Sequence, residues 1–432
     1  MTQRLHPCIV VLLLALAGCA RGGDDGPVAV PAPAAPSSQA VAQVSAWPLP
    51  APAGAAQPDL VLAPDGRLLL SWIEEDASGA HRLRLASTTP AAPVPAWGEA
   101  STVAAGDDWF VNWADTPHVY ALADGSLWAH WLRSTGPSRM DYGIALVRSG
   151  DGGVTWSAPQ AVHPSGTRGD HGFVTFWAQA GDRLGIAWLD SRQKAAAGGD
   201  GGHDGHHAAG GPAMMLRAAL HGPQGKQEAE WPLDASTCDC CTTASAMTGR
   251  GAVVVYRGRD AHEIRDTRIV RFDGAAWTAP RDVHADGWRF PGCPVNGPAV
   301  VADGERVWVA WYTEAGGVPE LRAARSDDAG DSFDAPVVLA RGAQVLGRVT
   351  LALAGERPLA AWLEEDSPDS QRLVLGRYAA DWTQGERIEV ARLAARGRAS
   401  GLPRLQWAGD AAWLAWTDVA DGAPVLRGAR VR

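Results

Sequence analysis

Seven stretches of the chain share one alternation of apolar and polar positions: LLLSWIEE, LWAHWLRS, LGIAWLDS, AVVVYRGR, VWVAWYTE, PLAAWLEE and AWLAWTDV. Each is an apolar run of strand length with an aromatic ring at a fixed register, Trp72, Trp131, Trp188, Tyr256, Trp311, Trp362 and Trp416, spaced 51 to 68 residues apart. Turn sequences such as APDG, LADG and VADG precede most of these runs, and a second strand pattern such as HRLRLAST, YGIALVRS or ELRAARSD follows them. Gly and Asp at those positions close hairpins, and no stretch carries amphipathic helical periodicity. A repeat of this length with several strands per unit predicts an all-β propeller, its blades built of strands A to D from the axis outward. Seven blades are expected, with six as the alternative if one repeat is irregular. The last repeat supplies only strands A to C, and the segment QVSAWPLP has the pattern of the outer strands TWSAPQAV and AWTAPRDV. Residues Val44 to Leu49 are therefore expected to complete that blade and close the ring.

Twenty tryptophans against six phenylalanines reflect the repeated ring position. The net charge of −10 and the absence of a long basic run exclude nucleic acid as a partner, and any membrane association beyond an anchor. A monomer is expected. Ahead of the repeats, Arg4 precedes the short apolar run CIVVLLLALAG, an export signal too short to span a bilayer. Its end, LAGC, resembles the bacterial lipoprotein signal. The resemblance implies residues 1–18 as signal peptide, lipid attachment at Cys19, and sorting to the outer membrane, because Ala20 rather than Asp follows. Residues 19–44, rich in Pro, Ala and Gly, read as a flexible tether, and 45–432 as the propeller.

SGDGGVTW, with Ser149, Asp151, Gly153 and Trp156, and SDDAGDSF, with Ser326, Asp328, Gly330 and Phe333, resemble the Asp-box or BNR repeat of sialidase-like propellers. FVNWADTPH, GDHGFVTF, CDCCTTA, DGWRFPGCPVNGPAV and LGRVT extend the resemblance to bacterial exported proteins labelled exo-alpha-sialidase. The resemblance implies a fold and not a reaction; a true sialidase of this fold holds the substrate carboxylate with three arginines, attacks with a tyrosine activated by a glutamate and uses an aspartate as acid and base. The family's Arg-Ile-Pro signature is missing, echoed only by Arg289-Phe290-Pro291, and Tyr142 and Tyr120 are weak nucleophile candidates.

In such a propeller the D-to-A connections and B-to-C loops share one face, the top, where polar residues gather. Candidate ligand-binding residues are Asp115, His118, Asp170, His171, Arg192, Arg257, Asn296 and Arg348. Arg192, Arg257 and Arg348 form a candidate anion clamp, and Asp170, Asp260 and Glu263 are candidate acids or bases. Further charges, Arg133, Asp190, Arg259, Arg265, Asp266, Glu314 and Glu364, fall in the same loops. A small polar ligand or glycan is the expected partner, with loop scaffolding the competing explanation for part of the set.

Cys238, Cys240 and Cys241 lie in one D-to-A connection and Cys293 in the next, so the two are expected to meet. Three readings stand: disulfides, the default in an oxidising envelope, a soft-metal site for copper or zinc with His171 as an added ligand, or redox or other thiol chemistry. GGDGGHDGHH, with His203, His206 and His207, is either a solvated insertion or a metal-capturing tract.

Overall fold

A computed structural model describes residues 42–90, 96–164, 166–196 and 212–432. The signal peptide, Cys19, most of the tether and the histidine tract lie outside them. The described chain forms seven four-stranded antiparallel sheets. Blades 1 to 6 begin with strands Ala56–Leu62, His118–Ala121, His171–Gln179, Ala244–Thr248, Ala299–Asp303 and Val345–Ala354, and each runs in sequence order from strand A to strand D. Blade 7 combines Arg404–Ala408, Ala411–Ala420 and Ala423–Val431 with the distant Val44–Ala46 as its outer strand. The seven-blade expectation and the closing strand both hold.

All seven register aromatics sit on strand B and are buried. A strand in the middle of a sheet has two faces to cover, and here each is covered by the next blade. The apolar core accordingly divides into seven clusters, each spanning one seam between neighbouring blades. The indole N–H of Trp72, Trp188 and Trp362 donates to a carboxylate two residues on, Glu74, Asp190 and Glu364, because positions i and i+2 share one side of a strand. Tyr256 reaches Asp234 and Trp311 reaches Asp286 to the same end. The pattern Trp-x-acid thus places a polar cap on an otherwise apolar seam.

In the turns at Asp151 and Asp328, the carboxylate accepts backbone N–H bonds from Thr155 (2.9 Å) and Ser332 (2.8 Å), and the preceding Ser149 and Ser326 accept from Gly153 and Gly330 at 2.8 Å each. Both turns join strands C and D, at the end of the ring opposite the start of strand A. His171, at the start of strand A, pairs with Asp190, at the end of strand B, so the B-to-C loops and D-to-A connections share the other end. Those loops form the top face.

Closure depends on Val44, Ser45 and Ala46 pairing with Val431, Arg430 and Ala429. Immediately after them Trp47 is buried, stacked on Trp97 at 4.8 Å and edge-on to Trp413 at 4.7 Å. Trp47→Ala is expected to cost about 3–5 kcal/mol of unfolding free energy, measured by urea denaturation. A loss below about 1 kcal/mol would mean that the seam between blades 7 and 1 does not depend on this ring.

Candidate functional site

Most of the top-face charges turn out to hold the loops together. Asp260 accepts backbone N–H bonds from His262 and Ile264, and Asp266 does so from Gly287 and Trp288. Arg133 pairs with Asp108 at 2.5 Å, and Glu364 takes Arg387 as well as Trp362. Glu314 accepts the Tyr312 hydroxyl. Glu263 binds Arg259 and Arg265, each at 2.7 Å. As acid or base candidates, Asp260 and Glu263 are therefore occupied. Without Asp260 the loop would carry unsatisfied backbone groups, and without Glu263 two buried guanidiniums would lose a counter-charge.

The three candidate clamp arginines do not converge. Arg192 chelates Asp190 through Nε and Nη2 and also meets Glu230 at 3.0 Å. Arg257 is almost fully buried in the seam between blades 4 and 5. It donates to the carbonyls of Asn296, Arg265 and Tyr312 and stacks on Trp288 at 4.8 Å. Its donors are spent on backbone. Arg348 differs from both. Its backbone N–H is held by Asn296 Oδ1 at 2.7 Å, Nη1 donates to Ser400 Oγ (2.7 Å) and the Gly401 carbonyl (2.9 Å), and the guanidinium lies over Trp113 at 4.6 Å. Burial alone lowers its pKa, to about 10, with no carboxylate contributing.

Arg348 reaches this position through an irregularity of strand A, where the register shifts between Gly347 and Thr350 and Arg348 itself has φ 56°. Gly347 precedes it at φ 75°, and a Cβ there would lie 2.5 Å from Asn296 Oδ1. The glycine is required by close approach. Arg348 lines the central channel, a cavity of about 270 Å³, and a wider vestibule that also contains Trp113 and Tyr312. In the channel, His118 Nδ1 lies 3.2 Å from Asp59, which also faces Arg404. Burial raises the Asp59 carboxyl, but His118 and Arg404 outweigh it and bring its pKa to about 2.

A second top-face cavity, of about 310 Å³, adjoins Trp113 from the other side. Tyr142, Asp170, Asp239, Cys240 and Cys293 line it, and the exposed Arg139 and Arg398 stand among its walls. Asp115 lies behind it. One of its oxygens accepts the Phe173 N–H at 2.8 Å and the other has no partner among the described residues, as is true of Asp170 Oδ1. Burial, with Asp170 adding to it, pushes the Asp115 carboxyl up to about 7. Tyr142 stacks flat on Phe110 at 3.9 Å, and its phenol is pushed well above the ordinary value by burial and then by Asp170 and Asp115. Tyr120 accepts the Ala178 N–H, and burial raises its phenol too. Neither tyrosine is activated as a nucleophile.

Cys238, Cys240, Cys241 and Cys293, the cysteines among the described residues, are free, so no disulfide bears out that expectation. Cys238 Sγ lies 3.8 Å from Cys240 Sγ and 3.4 Å from Cys241 Sγ, against about 2.05 Å for a bonded pair. Burial raises the Cys238 thiol, but the Cys240 and Cys241 thiols and Arg265 outweigh it and draw it well below the usual value. Cys240 faces Cys293, and both open onto the cavity. Gly297 allows the two connections to abut, since a Cβ there would lie 2.1 Å from the Thr242 carbonyl. His171 is not beside the sulfurs. It is fully buried, stacked on His163 at 4.0 Å with Nδ1 3.3 Å from Asp190, because its strand position faces the seam of blades 2 and 3.

Sequence reasoning passed over Trp113, Ser400, Arg139 and Arg398. Trp113 carried a signal: it is a tryptophan in a polar connection, outside the strand-B register. The other three are ordinary loop residues whose roles depend on what lies across the ring.

No family model and no curated protein matches the chain. Solved structures similar to it include a protein of unknown function from Dyadobacter fermentans DSM 18053, at 12% identity and TM-score 0.48 over 88% of this chain and 95% of that one. The NanB sialidase of Streptococcus pneumoniae, as its K499G mutant, is similar at 9% identity and TM-score 0.45 over 84% and 83% of the two chains. A polysaccharide lyase, the PL25 ulvan lyase, is similar at 13% identity and TM-score 0.43 over 78% and 79%.

A raised Asp115 pKa has a definite sign. The folded state favours the neutral carboxyl, so stability is full below pH about 4, where the unfolded chain is also protonated, and is lost as pH rises to about 7. Asn mimics the protonated carboxyl in shape and in hydrogen bonding. Asp115→Asn is expected to flatten the fall in thermal stability between pH 5 and pH 8 and to leave the variant the more stable of the two at pH 8. A variant with the wild-type pH profile would assign the dependence to other groups.

Proposed function

We propose that the protein is an exported, lipid-anchored binding propeller whose top face captures a small anionic ligand on Arg348. The observation that carries this reading is a guanidinium fixed along one edge by Ser400 and Gly401, faced by Trp113, and lacking a carboxylate partner among the described residues. A half-buried cation without a counter-charge is costly, and an incoming anion offsets that cost. Arg139 and Arg398 flank the neighbouring cavity, across from Asp170 and Asp239, and no ion pair among the described residues involves either. Asn296 positions the site by holding the Arg348 backbone.

Attachment to the envelope, and to the outer membrane in particular, rests on the LAGC signal with Cys19 and Ala20. The alternative, a sialidase-type glycosidase or a related lyase, asks for converging arginines and an activated tyrosine. Arg192 and Arg257 are held elsewhere, and the Tyr142 phenol is shifted away from ionisation. Binding without turnover is the reading these residues support.

The test is thermal denaturation of the protein with N-acetylneuraminate, glucuronate or inorganic phosphate. A ligand at about 100 times its Kd is expected to stabilise the fold by about 2.7 kcal/mol. Arg348→Gln is expected to abolish the shift, whereas Arg67→Gln, on a distant exposed turn, leaves it intact. If none of the anions stabilises the protein, or if Arg348→Gln responds as wild type does, the anion site is wrong. Fluorogenic sialosides are expected to show no turnover above background, and turnover lost in Arg348→Gln would restore the glycosidase.

A further inference from the structure

We infer that Cys238, Cys240 and Cys241 form a three-sulfur site for a thiophilic monovalent ion, copper(I), independent of the anion site at Arg348. All three sulfurs lie within 4.8 Å of one another, and no other cysteine, histidine or carboxylate among the described residues joins that set. Metal–sulfur bonds of about 2.3 Å in trigonal or tetrahedral geometry set sulfurs about 3.7–4.0 Å apart. The observed 3.8 Å matches that spacing and 3.4 Å is a few tenths short of it. The donors are all soft, which selects copper(I) over oxygen- or nitrogen-preferring ions. A structural zinc site requires a fourth ligand, and the group supplies three.

The surroundings suit a bound ion as well. Cys238 and Cys241 are fully buried, which shields the site from competing water ligands, while Cys240 is partly exposed and opens onto the top-face cavity as an entry path. Three thiolates around a monovalent cation carry two negative charges in excess. The Arg265 guanidinium lies close enough to Cys238, and Arg257 to Cys241, to act on their charge. Both guanidiniums are fixed independently of the sulfurs, Arg265 by Glu263 and Arg257 by three backbone carbonyls. They form an outer shell that holds the ligands in place. The connection is further pinned by Lys194, which donates to Asp239 at 2.8 Å between the first and second cysteine. Cys293 sits beside Cys240 on the cavity wall but outside the mutual set, which leaves it at the entrance and outside the first coordination sphere.

The experiment uses the reduced full chain under anaerobic conditions, titrated with copper(I) against a chromogenic chelator. Retention of a single copper per chain is expected. Alkylation followed by mass spectrometry of the wild-type protein is expected to find Cys238, Cys240 and Cys241 protected by copper and Cys293 still reactive. This readout does not depend on a variant that folds. Cys240→Ser, at the partly exposed position, is expected to weaken copper retention by more than about 100-fold, while Cys293→Ser and His171→Ala change it less than about threefold. X-ray absorption is expected to give three sulfur neighbours. The inference is overturned if the chelator strips all copper from the wild-type protein, or if copper leaves the three cysteines as reactive as Cys293. It is equally overturned if Cys293→Ser costs as much as Cys240→Ser, or if zinc is bound as tightly with four sulfurs.

Discussion

Each blade has two apolar faces and no means of covering them by itself, so the structure depends on a ring without a gap. The seven seam clusters are one solution repeated, and the ring is closed without a covalent link at one place, between the outer two strands of blade 7. There the pairing of Val44–Ala46 with the last strand, backed by Trp47 between Trp97 and Trp413, replaces the turn that joins the outer two strands of the other blades. Every loop geometry on the top face presupposes that closure. Side chains from different blades meet only because the ring has a fixed diameter.

This dependence explains how much could be read from the sequence. The strand-B aromatics announced the blades because the same seam problem is solved at each of them, and QVSAWPLP could be matched to the outer strands by pattern alone. The two turns at Asp151 and Asp328 were equally local, since every bond they make falls within a few residues. The top face was legible only as a concentration of charge. Whether Arg257 or Arg348 is free depends on carbonyls and carboxylates tens of residues away, and no spacing rule encodes the Arg257 bond to the Tyr312 carbonyl. The pairing of His171 with Asp190 rather than with the cysteines has the same origin: the two sides of one strand lead to different neighbours.

Once the ties are assigned, the top face divides into two chemical regions around Trp113. On one side stands Arg348, which makes no ion pair among the described residues, and on the other a set of thiols with carboxyls nearby. Asn296 belongs to both, because its side chain holds the Arg348 backbone while its carbonyl accepts from Arg257, whose charge acts on Cys241. Cys293 lies three residues before Asn296 on the same connection, so the order of that short segment bears on both regions.

The Arg257 tie distinguishes the seam between blades 4 and 5 from its neighbours in a further way. A guanidinium keeps its proton throughout the range in which proteins stay folded, and carbonyl acceptors never titrate. Bonds of this kind are indifferent to acid and are screened less by salt than the exposed ion pair of Arg133 with Asp108. The Arg257 tie between blades 4 and 5 therefore persists under salt or acid that weakens the Arg133–Asp108 pair of blade 2 and the Lys194–Asp239 pair that pins the cysteine connection.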